Sequence, residues 1–384
     1  METLIEIIKG GEGRALEELA NSFGKTVDIK DVLKEWDKSI PRDVFMKAGK
    51  LGFLGLHHRE EWGGSGEGHK GNTVLIATLQ ETLSKYNPDL ALAIQVSAGL
   101  AGESIEISGS RVQKARYLKD IVSGKSICCF ALTGPESGSY PGMTNSKVTY
   151  ENGKLILNGD KKFITLGSQS EFAVFFAKSH VGGKLTAYLV PLLGEDSKSA
   201  NIDAYEAANS SNLSIVGRVL GEDSILGGEN GSYVDNGNKL WREIISYGRL
   251  YIAAHASGMM ERAIQESAEY AKTRMTKGGM LIDQQLIRGM LADMKISHEA
   301  SRSMVYKAAW EADRNGLMDE HDAALVKIFA TDAAEKVFGM GVDIHGGAGC
   351  SLDSPIRYLE RIGKILQTFE GHNIALRNFL GGAL

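Results

Sequence analysis

Apolar positions divide the chain into three stretches with different periods. Up to about residue 125 the spacing is helical, through Val44 to Phe53 and again through Thr73 to Leu83. Trp62-Gly63-Gly64-Ser65-Gly66 interrupts it as a loop, and a further helix is predicted from Arg111 to Val122. Near Ser126 the pattern shortens to alternating or wholly apolar runs separated by turn residues. Asn152-Gly153 between Val148-Thr149-Tyr150 and Leu155-Ile156-Leu157 predicts a tight hairpin, because both residues tolerate positive φ. Asn158-Gly159 is a second turn candidate. Phe172–Phe176 and Leu185–Val190 flank Gly182-Gly183 as another strand pair. From about Lys239 helical spacing returns and persists. Leu286, Met290 and Met294 stack four apart, and Ala323, Leu325, Val326, Ile328 and Phe329 are dense enough to predict a well-buried helix. Gly278-Gly279 and Asn315-Gly316 mark breaks between long helices. The expected architecture is α+β: an N-terminal helical domain (1–125), a central antiparallel β-domain (126–233) and a C-terminal helical bundle (234–384).

Composition narrows the function classes. The chain has 384 residues, enough for two or three packed units, with 43% hydrophobic and 24% charged residues. A net charge of −5 argues against a general nucleic-acid binder while leaving room for a local basic patch. No apolar run approaches the ~20 residues of a bilayer span, and the N-terminus carries neither a basic n-region nor an Arg-rich presequence. The expected location is cytoplasmic, or the chain is already processed. Cys128, Cys129 and Cys350 form no disulfide framework and have no metal-ligand spacing, so all three read as small buried hydrophobes.

Three short motifs carry candidate chemistry. Gln367-Thr368-Phe369-Glu370-Gly371-His372 places a carboxylate before a glycine near the C-terminus. Ile344-His345-Gly346-Gly347-Ala348-Gly349 precedes it, and Ala131-Leu132-Thr133-Gly134-Pro135-Glu136-Ser137-Gly138-Ser139 lies far upstream. Lys50–Leu56, Glu61-Trp62-Gly63-Gly64 and Gln113–Leu118 extend the pattern. Each is weak alone. In this order and spacing they resemble the acyl-CoA dehydrogenase family over nearly the whole chain.

The resemblance implies an FAD enzyme that desaturates an acyl-CoA thioester. Glu370 would be the base that removes the α-proton, while the β-hydride passes to flavin N5. A buried carboxylate suits this work because burial raises its pKa. The thioester oxygen would be met by a backbone N–H at the glutamate position, and Gly371 would let a ligand approach the backbone. The alternative family position for the base is Gly248 here, which cannot serve. Arg249 matches an arginine that holds substrate and the catalytic loop. Phe130, Leu132 and Thr133 would lie along the isoalloxazine, with Phe163 and Thr165 packing on the ring and contacting N5. Gly138 and Ser139 would admit phosphate or CoA. Arg274, Gln285, Gly346 and Gly347 match contacts to the FAD of a neighbouring subunit, so a homotetramer built as a dimer of dimers is expected. The glycines follow a helix, so this is not a Rossmann fingerprint. Electrons would leave to an electron-transfer flavoprotein.

Departures from the family pattern touch the cofactor contacts. The usual Thr-Glu-Pro is Thr133-Gly134-Pro135, and the usual Gly-Ser-Asp ends in Tyr140. Lys277 replaces an aromatic, and His372 replaces a threonine. His372 could be a proton donor beside the flavin or a simple hydrogen-bonding replacement, the second being favoured. The segment Leu192 to Leu220 is shorter and more polar than usual. Leu92 to Leu100, on the helix that lines the family's acyl pocket, holds no arginine, so a dicarboxylic acyl group is not suggested. Alternatives are an acyl-CoA oxidase, an enoyl-CoA reductase or a carrier-protein dehydrogenase on the same fold, or a non-catalytic assembly protein.

Overall fold

Ser110 and Gln113 begin the helix Arg111–Val122 with a reciprocal cap. The Ser110 hydroxyl accepts from the Gln113 N–H, and the Gln113 side-chain carbonyl accepts from the Ser110 N–H. The computed structural model describes residues 3–32, 36, 38–68, 70–202 and 205–382. They fall into two compact units, one of Met1–Glu35, Thr73–Ala91 and Arg249–Leu384, the other of Trp36–Asn72 and Leu92–Gly248.

The second of these holds a seven-stranded sheet. Its strands are β1 (Cys128–Ala131), β2 (Lys147–Glu151), β3 (Lys154–Thr165), β4 (Phe172–Lys178), β5 (Leu185–Pro191), β6 (Ser197–Ser199) and β7 (Ser210–Leu220). Their order is β1-β4-β2-β3-β7-β6, with β5 also on β4. β2 and β3 form the predicted hairpin, with Asn152 at φ 51° and Gly153 at φ 78°. β4 and β5 are buried along nearly their whole length, which explains their unbroken apolar runs.

The first unit is helical. Leu4–Lys25 and Thr73–Tyr86 pack with each other and with the long helix Gln285–Asn315, which packs in turn on Glu320–His345, and the chain ends in Pro355–Leu366 and Asn373–Gly381. Both carboxylate oxygens of Asp313 accept the first two N–H groups of Thr73–Tyr86, at 2.7 and 3.0 Å, satisfying two of the orphan donors of that helix. At its centre Glu81 accepts from Arg302 Nε, the Ser257 hydroxyl and the Tyr306 hydroxyl at 2.7–2.9 Å. Burial pushes the Glu81 carboxyl up, but the Arg302 and Lys9 charges and the Ser257 hydroxyl hold it below its ordinary pKa.

Several expectations are corrected. The sheet is not purely antiparallel, since β4 pairs in parallel with both β1 and β2. Asn158-Gly159 is no turn but the interior of β3, at a bulge against β7. Gly159 stands there because a Cβ would fall 2.4 Å from the Ser146 hydroxyl. Pro88–Ser108 is a helical run of 21 residues, long and apolar enough to cross a membrane by length and composition. It is almost entirely buried in the protein, and its Glu103 and Glu106 each meet an imidazole at 2.7 Å, His57 and His58. Leu286, Leu325 and Phe329 are not core: they are 75%, 48% and 41% exposed. Helical spacing finds an apolar stripe without saying what covers it. Cys128 and Cys129 are buried on β1, but Cys350 is exposed.

Candidate active site

In the helical unit, the loop between Pro355–Leu366 and Asn373–Gly381 carries Glu370 in a left-handed conformation, φ 54°, followed by Gly371 at φ 104°. A non-glycine residue there costs about 1–2 kcal/mol and persists only when its surroundings impose it. Those surroundings are specific. Arg249, itself buried, donates its Nε–H to the Glu370 carbonyl at 3.0 Å. Lys327, fully buried on the helix Glu320–His345, donates to the carbonyls of Gln367 (3.0 Å) and Gly371 (2.9 Å) and to Asn373 Oδ1 (2.7 Å). The Asn373 amide reaches Thr331 and Asp332, and that of Gln367 reaches Asp332 and Glu335. Lys327, Thr331 and Glu335 stand four apart, so one polar stripe of the helix grips the loop from beneath.

Glu370 keeps part of its surface open, as a group that meets a ligand must. The protein around its carboxyl excludes enough water to raise the pKa to about 7, and the Arg249 and Lys327 charges limit the rise. A carboxyl poised there exchanges a proton readily near neutral pH. Burial in turn brings the Lys327 ammonium down to about 7, against the Glu370 charge that favours it. Exposed His372 caps the last helix, its Nδ1 accepting from the Ile374 N–H at 3.1 Å. That bond assigns the proton to Nε2.

Elsewhere in this unit, Arg274 ends the helix Gly237–Thr273 and Gln285 begins Gln285–Asn315. The hairpin Met275-Thr276/Gly279-Met280 lies between them, and both side chains are exposed. Tyr270 stacks on His345 at 4.4 Å, which ties the end of the first helix to the turn of Gly346 and Gly347. Cβ atoms added at those two glycines would meet nothing within 4 Å.

In the sheet-bearing unit, Phe130 packs edge-on against Phe176 at 5.1 Å. Leu132 and Thr133 follow β1 and run beside β3. The Leu132 carbonyl accepts from Lys161 Nζ at 2.9 Å, and the Thr133 carbonyl from the Lys162 N–H at 2.9 Å. These bonds bring Leu132 and Thr133 to the β3 bulge that carries Phe163. That residue sits at φ 59° with 52% of its surface exposed. Thr165 is half-buried opposite Ser210 on β7. Gly138, Ser139 and Tyr140 are exposed. Burial lowers the Lys161 pKa to about 7, and Glu136, two residues past the glycine that departs from Thr-Glu-Pro, supplies the opposing charge.

Sequence reasoning missed Lys327 and Lys161. For Lys327 the signal was a lone lysine in an apolar setting: Ala323-Ala324-Leu325-Val326-Lys327-Ile328-Phe329-Ala330 makes a solvated charge improbable on a buried face, whereas Lys161, between Asp160 and Lys162, carries no such signal.

Comparison with known proteins finds relatives along nearly the whole chain. Family models for the acyl-CoA dehydrogenase N-terminal, middle and C-terminal domains match residues 11–125, 129–215 and 235–384. A short-chain-specific acyl-CoA dehydrogenase of Megasphaera elsdenii is 32% identical over 380 residues, covering 95% of this chain and 96% of the relative. The CarC subunit of the caffeyl-CoA reductase-Etf complex of Acetobacterium woodii is 27% identical, covering 97% and 98%. The solved butyryl-CoA dehydrogenase of Megasphaera elsdenii superposes with a TM-score of 0.88 at 28% identity, covering 100% of this chain and 99% of that one. The chain belongs to the acyl-CoA dehydrogenase family, flavoprotein oxidoreductases that act on acyl-CoA.

Proposed function

We propose that this chain desaturates an acyl-CoA thioester between Cα and Cβ, with Glu370 taking the α-proton. The observation that carries the reading is Glu370: a half-buried residue whose carboxyl is raised to about 7 by burial and whose main-chain carbonyl is held by Arg249. A base must be ionised at working pH and strong enough to draw a weakly acidic proton, and a carboxyl near 7 meets both needs. Arg249 and Lys327 keep it ionised without bonding to the oxygen that must accept.

Bound FAD would supply the acceptor for the β-hydride. The residues fit such a group. Phe163 is a large ring held half-exposed by a bulge, a platform for a planar partner, beside Leu132 and Thr133, which follow Phe130 on β1. Gly346 and Gly347 form an open turn that would allow a phosphate against the backbone, and Arg274 and Gln285 are free to reach outward. Ser139, Arg249 and Gly371 would meet the substrate, and His372 would stand at the edge of the cofactor site.

A site that uses Arg274 toward a neighbour's cofactor would require a homotetramer. Exposed Leu325 and Phe329 on Glu320–His345 give such an assembly an apolar surface to cover. The Etf-linked relative supports an electron-transfer flavoprotein as electron partner. That relative is named a reductase, so the reverse direction is the second reading. Glu370 would then deliver the α-proton.

Anaerobic mixing of the flavin-loaded protein with a series of acyl-CoA thioesters tests the reading. Bleaching of the flavin absorbance identifies a substrate, and Glu370→Gln is expected to slow it by about 10²–10⁴-fold while still binding acyl-CoA. A mutant within about tenfold of wild type would remove Glu370 from the role. Reoxidation of dithionite-reduced protein by enoyl-CoA thioesters reads the reverse direction.

A further inference from the structure

We infer that Lys327 is the positioning residue of this site: its buried ammonium both shapes the Glu370 loop and sets the pH at which Glu370 ionises. The argument rests on the reading of Glu370 as the working carboxylate, and begins with donors and acceptors. An ammonium has three N–H donors. Lys327 spends them on Gln367 O, Gly371 O and Asn373 Oδ1, acceptors that bracket residue 370 on both sides. No neutral side chain of similar length could saturate three acceptors that converge in one buried place. The loop therefore closes around a cation, and the left-handed Glu370 lies at its apex.

The charges facing Lys327 come from each element packed around it. Glu370 of the loop and Asp332 of its own helix favour the ammonium. Arg249 of Gly237–Thr273 and Arg377 of Asn373–Gly381 oppose it. Arg377 is itself paired with Asp332, and Arg249 is committed to the Glu370 carbonyl. The net effect couples two groups: an ionised Glu370 favours the ammonium, and the ammonium favours an ionised Glu370. Removing Lys327 leaves Arg249 as the remaining cation acting on the base, so the carboxyl should hold its proton to higher pH.

Two readouts test this in the flavin-loaded protein. The first needs no turnover. The melting-temperature difference between Glu370→Gln and its parent, followed from about pH 5 to pH 9, traces the titration of the carboxyl itself. In a Lys327→Met background we expect its midpoint to rise by about half a unit or more. The second is the pH profile of flavin reduction by an acyl-CoA. We expect Lys327→Met to lose about threefold or more near pH 6, as a rise of about half a unit dictates, and the deficit to narrow as pH rises. Lys327→Arg keeps the charge in a larger fork. It is expected to lower the plateau rate and leave the midpoint in place, and it carries the test if the Met variant does not fold.

A deficit in Lys327→Met that is equal at every pH, with an unmoved melting midpoint, would reduce Lys327 to a structural prop and overturn the inference. So would a midpoint that moves in Lys327→Arg as far as in Lys327→Met. If Glu370→Gln retains fast reduction, Glu370 is not the base. The melting series still decides whether Lys327 sets its ionisation.

Discussion

Arg249 grips Glu370 by its main chain, Nε to carbonyl oxygen at 3.0 Å, and leaves the carboxylate oxygens to other business. Lysine cannot reproduce the planar fork at this place. We expect Arg249→Lys to fold normally by circular dichroism and to slow flavin reduction by about 10–100-fold, the equivalent of a charge-assisted bond of about 1.5–3 kcal/mol. Stopped-flow measurement at saturating acyl-CoA checks it. A rate within about twofold of wild type would show that the loop holds its shape unaided.

The Glu370 carboxyl predicts its own pH dependence. Reduction by acyl-CoA should rise as pH passes through about 7 and then level off, because only the ionised base accepts a proton. Stability should run the other way. The folded carboxyl binds its proton up to about 7 and the unfolded one only to about the ordinary 4.5. Between those values the folded state holds more protons, so stability falls as pH rises. Glu370→Gln escapes that loss, and denaturant unfolding at about pH 8 should find it more stable than wild type by about 1–3 kcal/mol.

Glu81 has the opposite sign. Its folded pKa is held below the ordinary 4.5, so its contribution is present above that value and lost as pH falls through the folded one. Arg302→Met would leave the carboxylate buried with one cation fewer. We expect a loss of about 3–5 kcal/mol in urea unfolding at neutral pH. The deficit should shrink in acid as Glu81 protonates, and a deficit constant down to about pH 3 would contradict the account.

Phe163 should matter to the cofactor and not to the fold. Its ring is more than half exposed, so Phe163→Ala is expected to change apoprotein stability by less than about 0.5 kcal/mol. Flavin content after gel filtration should drop. Full flavin occupancy in the variant would mean the ring serves something else.

Arg274→Ala is expected to lose flavin on dilution while the apoprotein melts normally, since the side chain is exposed. Light scattering should give a tetramer for the wild type. A monomer with full flavin occupancy would contradict a cofactor shared between subunits.

Local rules were legible where a short segment decides its own structure. The helix expected from Arg111 starts there, and Asn152-Gly153 announces a hairpin, because helix starts and two-residue turns are settled within about four residues. Asn158-Gly159 misled because the same dipeptide can mark a close approach, and Ser146, which demands it, is remote in sequence. Leu325 and Phe329 misled because periodicity reports an apolar face and not its cover. At the site, family resemblance pointed to Glu370 and Arg249, which the fold brings together. It could not show that Glu370 adopts positive φ, nor that Lys327 reaches both sides of it. Those facts belong to a loop closed by a helix some forty residues away.

The three thiols differ in a way that can be put to use. Burial pushes the Cys129 thiol up to about 12 and Cys128 well above its ordinary value, so neither offers thiolate to a reagent. Cys350 is exposed at the end of the turn Gly346–Cys350. A maleimide dye added to the native protein would therefore label one position, on the turn proposed to face the cofactor's phosphates. Its emission would follow flavin arrival and departure in real time, with no engineered cysteine.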